Sequence, residues 1–346
     1  MLTIRSLVVL GLLWATADAS PQSRKKGGNG RAKTAQQQAA LIPQGVSKAT
    51  DGSMILDTTW PRHPLQDLRS RRRLHPESGV PGGAAAAGTP GTMGLNVLLH
   101  ANPPRSAGDG GQSFFDFPNQ AVQKNLMGVA VLAPNKNLFW GGGSGLQRTD
   151  GVAHAQAVAD LVTKVLPGVA AFNASDVSFT GVSGGSLLLS GFFVPAHAAQ
   201  FQGASGGVLL NCGGLAPQVD VAAADAAAIA KTRIHFQSTQ QELSSLQPAI
   251  PQAIAAYEKL ASGAGAAADQ IGVLQTVDNS PNGGHCEFDE KDFVSGVQLM
   301  ADSFSAIMQG GNGQVAGKNV LNPVVGNEKL SFKAGNRRSM AAALRV

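Results

Sequence analysis

The chain has 346 residues, 43% of them hydrophobic, 14% charged and 5% aromatic, with 43 glycines. That apolar content excludes a disordered protein, and the absence of long uninterrupted apolar runs excludes a membrane bundle. The net charge of +5 belongs to an arm: residues 20–80 hold 11 Lys+Arg against 4 Asp+Glu, whereas residues 81–346 hold 15 against 17. A near-neutral body lacks the basic face that nucleic-acid binding needs.

Residues 1–19 read as a secretory leader. Arg5 precedes the apolar run Leu7 to Trp14, and Ala17-Asp18-Ala19 sets small residues two apart for cleavage. The run has about 10 apolar residues, where a membrane span needs roughly 20. An oxidising compartment then permits one disulfide between the two cysteines, Cys212 and Cys286. In the same compartment Asn173-Ala174-Ser175 is a glycan acceptor sequon.

Residues 20–93 read as a low-complexity basic arm. Its first part, 20–48, is polar and Gln-rich, and Ser53 to Trp60 is a possible first strand. The stretch 60–77 has four arginines in five positions and no apolar face, and PGGAAAAGTPGT follows. From Gly94 apolar strand-like runs alternate with helical ones, which predicts a mostly parallel open α/β sheet with helices on both faces. The predicted strands are Leu95 to His100, Gly128 to Ala133, Val177 to Gly181, Val208 to Cys212, Arg233 to Gln237 and Ile271 to Val277. The predicted helices are Gly151 to Leu166, Gly185 to Gln200, Pro248 to Ala261 and Glu290 to Met308. This body spans 94–308, and 309–346 reads as a loose extension.

The sharpest motif is Gly181-Val182-Ser183-Gly184-Gly185, between the strand ending near Thr180 and an apolar helical run. A serine at the apex of a strand-to-helix turn sits in a strained conformation, and glycines two before and two after relieve the crowding. Its hydroxyl then stands over a helix N-terminus, and the Gly184 N–H becomes a first oxyanion donor. Gly203-Ala204-Ser205-Gly206-Gly207 has the same spacing, but a strand rather than a helix follows, so Ser205 is read as a loop residue.

A serine nucleophile needs a base, and His285 in Asn282-Gly283-Gly284-His285-Cys286 follows the last predicted strand. His63, His75 and His100 precede the serine. His154 and His197 fall in helical runs and His235 in a strand. The acid is expected after Arg233 to Gln237, where Glu242 is the carboxylate in STQQEL, with Asp220 and Asp225 in reserve.

With Ser183, His285, LNVLLH, GVAVLAPN and the Gly-rich WGGGSG segment in place, the stretch from Gly94 to about Met308 resembles a secreted fungal α/β-hydrolase. The likeness is to the esterase and lipase-like branch with GxSxG and a late GGH, and it covers about 215 residues. It implies transfer of an acyl group to water through an acyl-serine, with no cofactor and no metal. The short gaps left for a cap predict a modest lid or none and hence small-molecule or polymer-bound esters, and a monomer is expected.

The sequence departs from that pattern twice. The family has His-Gly after its third strand, whereas here His100 is followed by Ala101-Asn102-Pro103-Pro104 before Gly108-Asp109-Gly110. The second oxyanion donor is therefore Ala101 or Gly110, and 101–107, like 60–77, is expected to be no integral part of the fold. Several members also have Asp where Gln241 stands, so Glu242 takes the acid's place or the site is impaired. Two alternatives stay open: a peptidase of the same fold, and a catalytically silent binding module.

Overall fold

The computed structural model describes residues 8–10, 46–48, 54–56, 93–101, 125–131, 133–134, 138–168, 170–201, 206–287, 303–313, 330 and 332–333. The stretch 60–77, residues 102–107, Gly110, Ser205, most of the helix predicted from Glu290 and most of the C-terminal extension lie outside the described residues.

The described strands form one nine-stranded sheet in the order β2-β3-β1-β5-β4-β6-β7-β8-β9. Its body is parallel: β5 (Leu126–Val131), β4 (Gly94–Leu99), β6 (Val177–Val182), β7 (Gly207–Asn211), β8 (Arg233–Gln237) and β9 (Gln275–Asp278). Every residue of β4, β6, β7 and β9 is buried, as expected where both faces of a parallel sheet are covered. Polar side chains inside it are paired, with Thr180 Oγ donating to Asn96 Oδ1 (3.0 Å) and Asn211 Nδ2 to the Gly181 carbonyl (3.1 Å).

Three short antiparallel strands complete one edge: β1 (Val8–Leu10), β2 (Val46–Lys48) and β3 (Met54–Leu56). β3 falls within the strand expected from Ser53 to Trp60. β2 gives the polar, Gln-rich stretch 20–48 a strand at its end, and β1 lies inside the segment read as a leader. Leader removal would take those three residues from the sheet.

Helix α1 (Gly151–Asp160) continues through a wide turn, Leu161–Val165. α2 (Gly184–Leu188) runs on through a wide turn at Leu189–Phe193 into Val194–His197. A Cβ on Gly151 would meet the Phe192 ring at 2.5 Å, which shows how closely these two helices cross. α3 (Ala223–Ile229) was not expected from the sequence, since its alanines carry little periodicity. α4 (Leu246–Gly263) matches the run expected from Pro248, with Pro251 inside it.

One expected strand needs correction. Ile271 to Leu274 belongs to α5 (Ala268–Leu274), and only Gln275–Asp278 is extended. Ile271 and Val273 read as alternating strand positions, but Ile271 is buried while Val273 is 42% exposed, as on one helical face. The C-terminal extension is not loose throughout, because Leu330 packs against the core and the Lys333 N–H donates to the Gln240 carbonyl at 2.7 Å.

Candidate active site

Both glycines of the elbow are required by contact distances. A Cβ at Gly181 would lie 2.6 Å from the Ser186 nitrogen, and one at Gly185 would lie 2.2 Å from the Leu99 carbonyl oxygen. Strand β6 therefore turns directly into α2, and α2 presses its first turn on the end of β4. Ser183 sits at the apex with φ 49 and ψ −109, a conformation costly for a residue with a Cβ. It is held there because its N–H donates to the Asn211 carbonyl (2.8 Å) and its carbonyl accepts from Leu187 (3.0 Å).

The structure brings the three expected side chains together. His285 Nε2 lies 2.9 Å from Ser183 Oγ, and His285 Nδ1 lies 2.5 Å from Glu242 Oε1. With Nδ1–H donating to the carboxylate, Nε2 is left to accept the serine proton. Glu242 is 2% exposed and its Oε1 also accepts the Leu243 N–H at 2.7 Å.

The loop after β8 is stitched to the histidine loop. Gln240 and Gln241 donate their N–H groups to the carbonyls of Pro281 (2.9 Å) and Gly283 (3.0 Å), and Thr239 Oγ donates to Gly284 (2.8 Å). Gln240 Nε2 donates to the Ser280 carbonyl at 2.8 Å. These bonds extend the β8–β9 pairing past the ends of the strands and tie the Glu242 loop to the His285 loop. Sequence reasoning missed Thr239 and Gln240, although a polar run directly after a buried strand is the one trace they leave. Gln241 turns away, its Nε2 donating to Asn282 Oδ1 at 3.1 Å.

The reserve acids do not join the site. Asp225 is 8% exposed and accepts the Ala199 N–H (2.9 Å), while Asp220 is on the surface.

Cys212 and Cys286 form a disulfide with Cα atoms 5.2 Å apart across 74 residues. It ties the end of β7, next to the serine elbow, to the residue following His285. Converting both cysteines to alanine is expected to lower unfolding stability by about 2–4 kcal/mol, which denaturant unfolding of the two proteins measures directly.

On the other side of the elbow lies the WGGGSG segment. The Trp140 ring is 5.4 Å from His100, and His100 Nε2 accepts the Ala133 N–H at 3.0 Å. His100 Nδ1 bonds the Ala101 carbonyl, so the peptide just past β4 is fixed. Continuing the register of Leu99 opposite Gly181 carries Ala101 toward Ser183. Arg148 Nη1 donates to the carbonyls of Trp140 (2.6 Å) and Gly143 and so holds the turn, in which Gly141 and Gly142 have φ 73 and 87.

His154, 0% exposed, accepts the Gly141 N–H at Nδ1 (2.8 Å). Burial lowers its pKa from 6.5 to about 4, Asp150 opposing and Arg148 reinforcing the shift. The folded value lies below the unfolded one. The unfolded chain therefore takes up the proton first, and stability falls as pH drops from about 6.5 toward 4. Thermal melts across that window should show the decline, and His154→Gln should reduce it without abolishing it, because burial lowers His100 to about 4 as well and lowers His197 and His235 in the same direction; a decline as steep in His154→Gln as in wild type would contradict the assignment.

No protein-family model matches the chain, and no curated protein matches it. Among solved structures it is similar to esterase PE8, at 15% identity and a TM-score of 0.38, over 64% of this chain and 95% of that one. It is similar to Zea mays acyl-protein thioesterase 2 at 15% identity and a TM-score of 0.39, over 61% and 94%. A thermostable esterase shares 14% identity at a TM-score of 0.34, over 49% of this chain and 44% of that one, so the chain spans less than half of its length. These likenesses are in outline and transfer no residue. The parallel sheet order, the β6–elbow–α2 unit and the loops that follow β8 and β9 themselves define an α/β-hydrolase fold.

Proposed function

We propose that the protein is a secreted serine hydrolase that cleaves carboxylic esters through an acyl-serine intermediate. The observation that carries this reading is the continuous chain Ser183 Oγ, His285 Nε2, His285 Nδ1, Glu242 Oε1, with links of 2.9 and 2.5 Å. In this scheme Ser183 attacks the ester carbonyl carbon while His285 takes the hydroxyl proton, and Glu242 stabilises the resulting imidazolium. The carbonyl oxygen becomes an oxyanion that the Gly184 N–H receives from the first turn of α2, with Ala101 as the second donor by position. Collapse expels the alcohol, which collects the proton from His285. Water then repeats the sequence on the acyl-serine, so the cycle calls for no cofactor and no metal.

An ester makes a smaller demand on this triad than a peptide does, since an alcohol leaves more readily than an amine. No described helix is long and apolar enough to cross a membrane, and we assign a monomer acting on small-molecule or polymer-bound esters. Secretion rests on the leader, with Asn173 as the glycan site. Asn173 is partly exposed and its side chain accepts from the Ser175 N–H and hydroxyl at 3.1 and 2.7 Å.

A fluorophosphonate probe tests the reading. Labelling of wild type should vanish in Ser183→Ala and persist in Ser205→Ala. A folded wild-type protein that takes no label, or loses it only in Ser205→Ala, would remove this function.

A further inference from the structure

Beneath the histidine loop lies a buried carboxylate that the hydrolytic scheme leaves unused. Asp278 ends β9 and is 1% exposed, and among the described residues it forms no ion pair. A buried carboxylate with no cation beside it is costly unless N–H donors satisfy its oxygens. Both oxygens are satisfied here. Oδ1 accepts the Ser280 N–H at 2.8 Å, and Oδ2 accepts from Gln237 Nε2 at 3.1 Å.

The second bond is the end of a directed chain. Because Gln237 Nε2 faces the carboxylate, Gln237 Oε1 faces His235 Nε2 at 3.2 Å, and that nitrogen carries the ring proton. His235 Nδ1 is then the acceptor for the Thr276 hydroxyl at 2.7 Å. Thr276, His235 and Gln237 are all buried, so each bond broken would leave a polar group that water does not reach. Every donor in the chain points toward Asp278, and the carboxylate is fixed in one orientation.

We propose that Asp278 is a positioning residue for His285: it holds the start of the histidine loop, as the Cys212–Cys286 bridge holds the end. The inference rests on the hydrolytic reading of the site. Bonds from the acid loop reach the carbonyls of Ser280, Pro281, Gly283 and Gly284. The Asp278 carboxylate instead takes a main-chain N–H two residues along, which sets the direction in which the loop leaves β9. His285 must meet Ser183 at 2.9 Å and Glu242 at 2.5 Å at once. A ring displaced from that double contact lowers the rate without weakening substrate binding.

The test uses the full chain. Asp278→Ala removes both acceptors and should lower kcat about ten-fold, with KM within about two-fold of wild type. The low-field proton resonance of His285 Nδ1–H, which reports the short contact with Glu242, should weaken or move upfield. Asp278→Asn is the conservative variant. Its oxygen keeps the Ser280 N–H, and Gln237 turns over to meet its amide N–H, which sends the His235 proton to Nδ1. Nitrogen NMR should show that inverted tautomer, and kcat should recover to within about three-fold of wild type. Asp225→Ala is the matched control, since that carboxylate is also buried and accepts the Ala199 N–H at 2.9 Å. It should lower the melting temperature and leave kcat and the His285 resonance in place. Should Asp278→Ala not fold, Asp278→Leu fills the space without an acceptor and takes the same readings.

A folded variant lacking the acceptors that keeps the wild-type rate and resonance overturns the proposal. So does an equal loss of rate in Asp278→Asn and Asp278→Ala, or in Asp225→Ala. If wild type takes no fluorophosphonate, the hydrolase reading fails on its own, and the His285 resonance still decides whether Asp278 sets the contact with Glu242.

Discussion

Ser183→Ala is expected to lower kcat for a simple ester by about a millionfold, with KM and melting temperature near those of wild type. The Oγ atom makes one hydrogen bond, to His285, and it is the one atom removed. Alanine keeps the Cβ, so the backbone at φ 49 is neither relieved nor further strained. The contacts that hold the elbow come from the Ser183 main chain, through Asn211 and Leu187, and survive the change. What remains is the stabilisation by the oxyanion donors and by binding, which is worth about 10³–10⁴ over water. Steady-state hydrolysis by protein free of wild-type contamination measures the loss. A variant retaining more than about one part in a hundred of the wild-type rate would show that another group attacks.

The elbow was the most legible part of the sequence because steric rules act there over five residues. Gly181 and Gly185 must lack side chains for α2 to leave β6 against β4, and the distances of 2.6 and 2.2 Å to a notional Cβ give that rule its size. His285 was legible by position, following the last strand in a loop rich in glycine. The parallel strands showed as continuous apolar runs for the reason that both faces are covered. The antiparallel edge was harder to see. Val46–Lys48 offers three residues to a ladder and sits in a polar surround, so pairing rather than periodicity defines it.

The acid was ambiguous because sequence order specifies a loop and not a rotamer. In STQQEL, residues 241 and 242 differ by one position, yet one points to Asn282 and the other to His285. That choice depends on the stitching of residues 239–241 to the histidine loop, which is a long-range contact across about 40 residues. The contact at Leu330 and Lys333 was illegible for the same reason, since a backbone bond from Lys333 to Gln240 leaves no periodic signal.

Glu242→Gln is the second large effect: kcat is expected to fall about 10⁴-fold with KM nearly unchanged. The side chains are close to isosteric, so packing around a residue that is 2% exposed is preserved and no water enters to substitute. The change acts on the proton of His285 instead. A carboxylate can only accept from Nδ1–H, which leaves Nε2 as the acceptor facing Ser183 Oγ. Glutamine can turn its amide N–H toward Nδ1, and the imidazole then carries its proton on Nε2, pointed at a hydroxyl it must deprotonate. Even with its oxygen toward Nδ1, the neutral amide does not offset the charge that develops on the ring when the serine proton arrives. The loss falls on the transition state and spares ground-state binding, which is why kcat rather than KM reports it. Glu242→Asp keeps the charge on a shorter arm and should recover part of the rate. Asp225→Asn should stay near wild type, because that carboxylate serves the Ala199 N–H. A Glu242→Gln rate within about ten-fold of wild type, with Asp220→Asn or Asp225→Asn inactive, would assign the acid elsewhere and require the 2.5 Å contact with His285 to be structural.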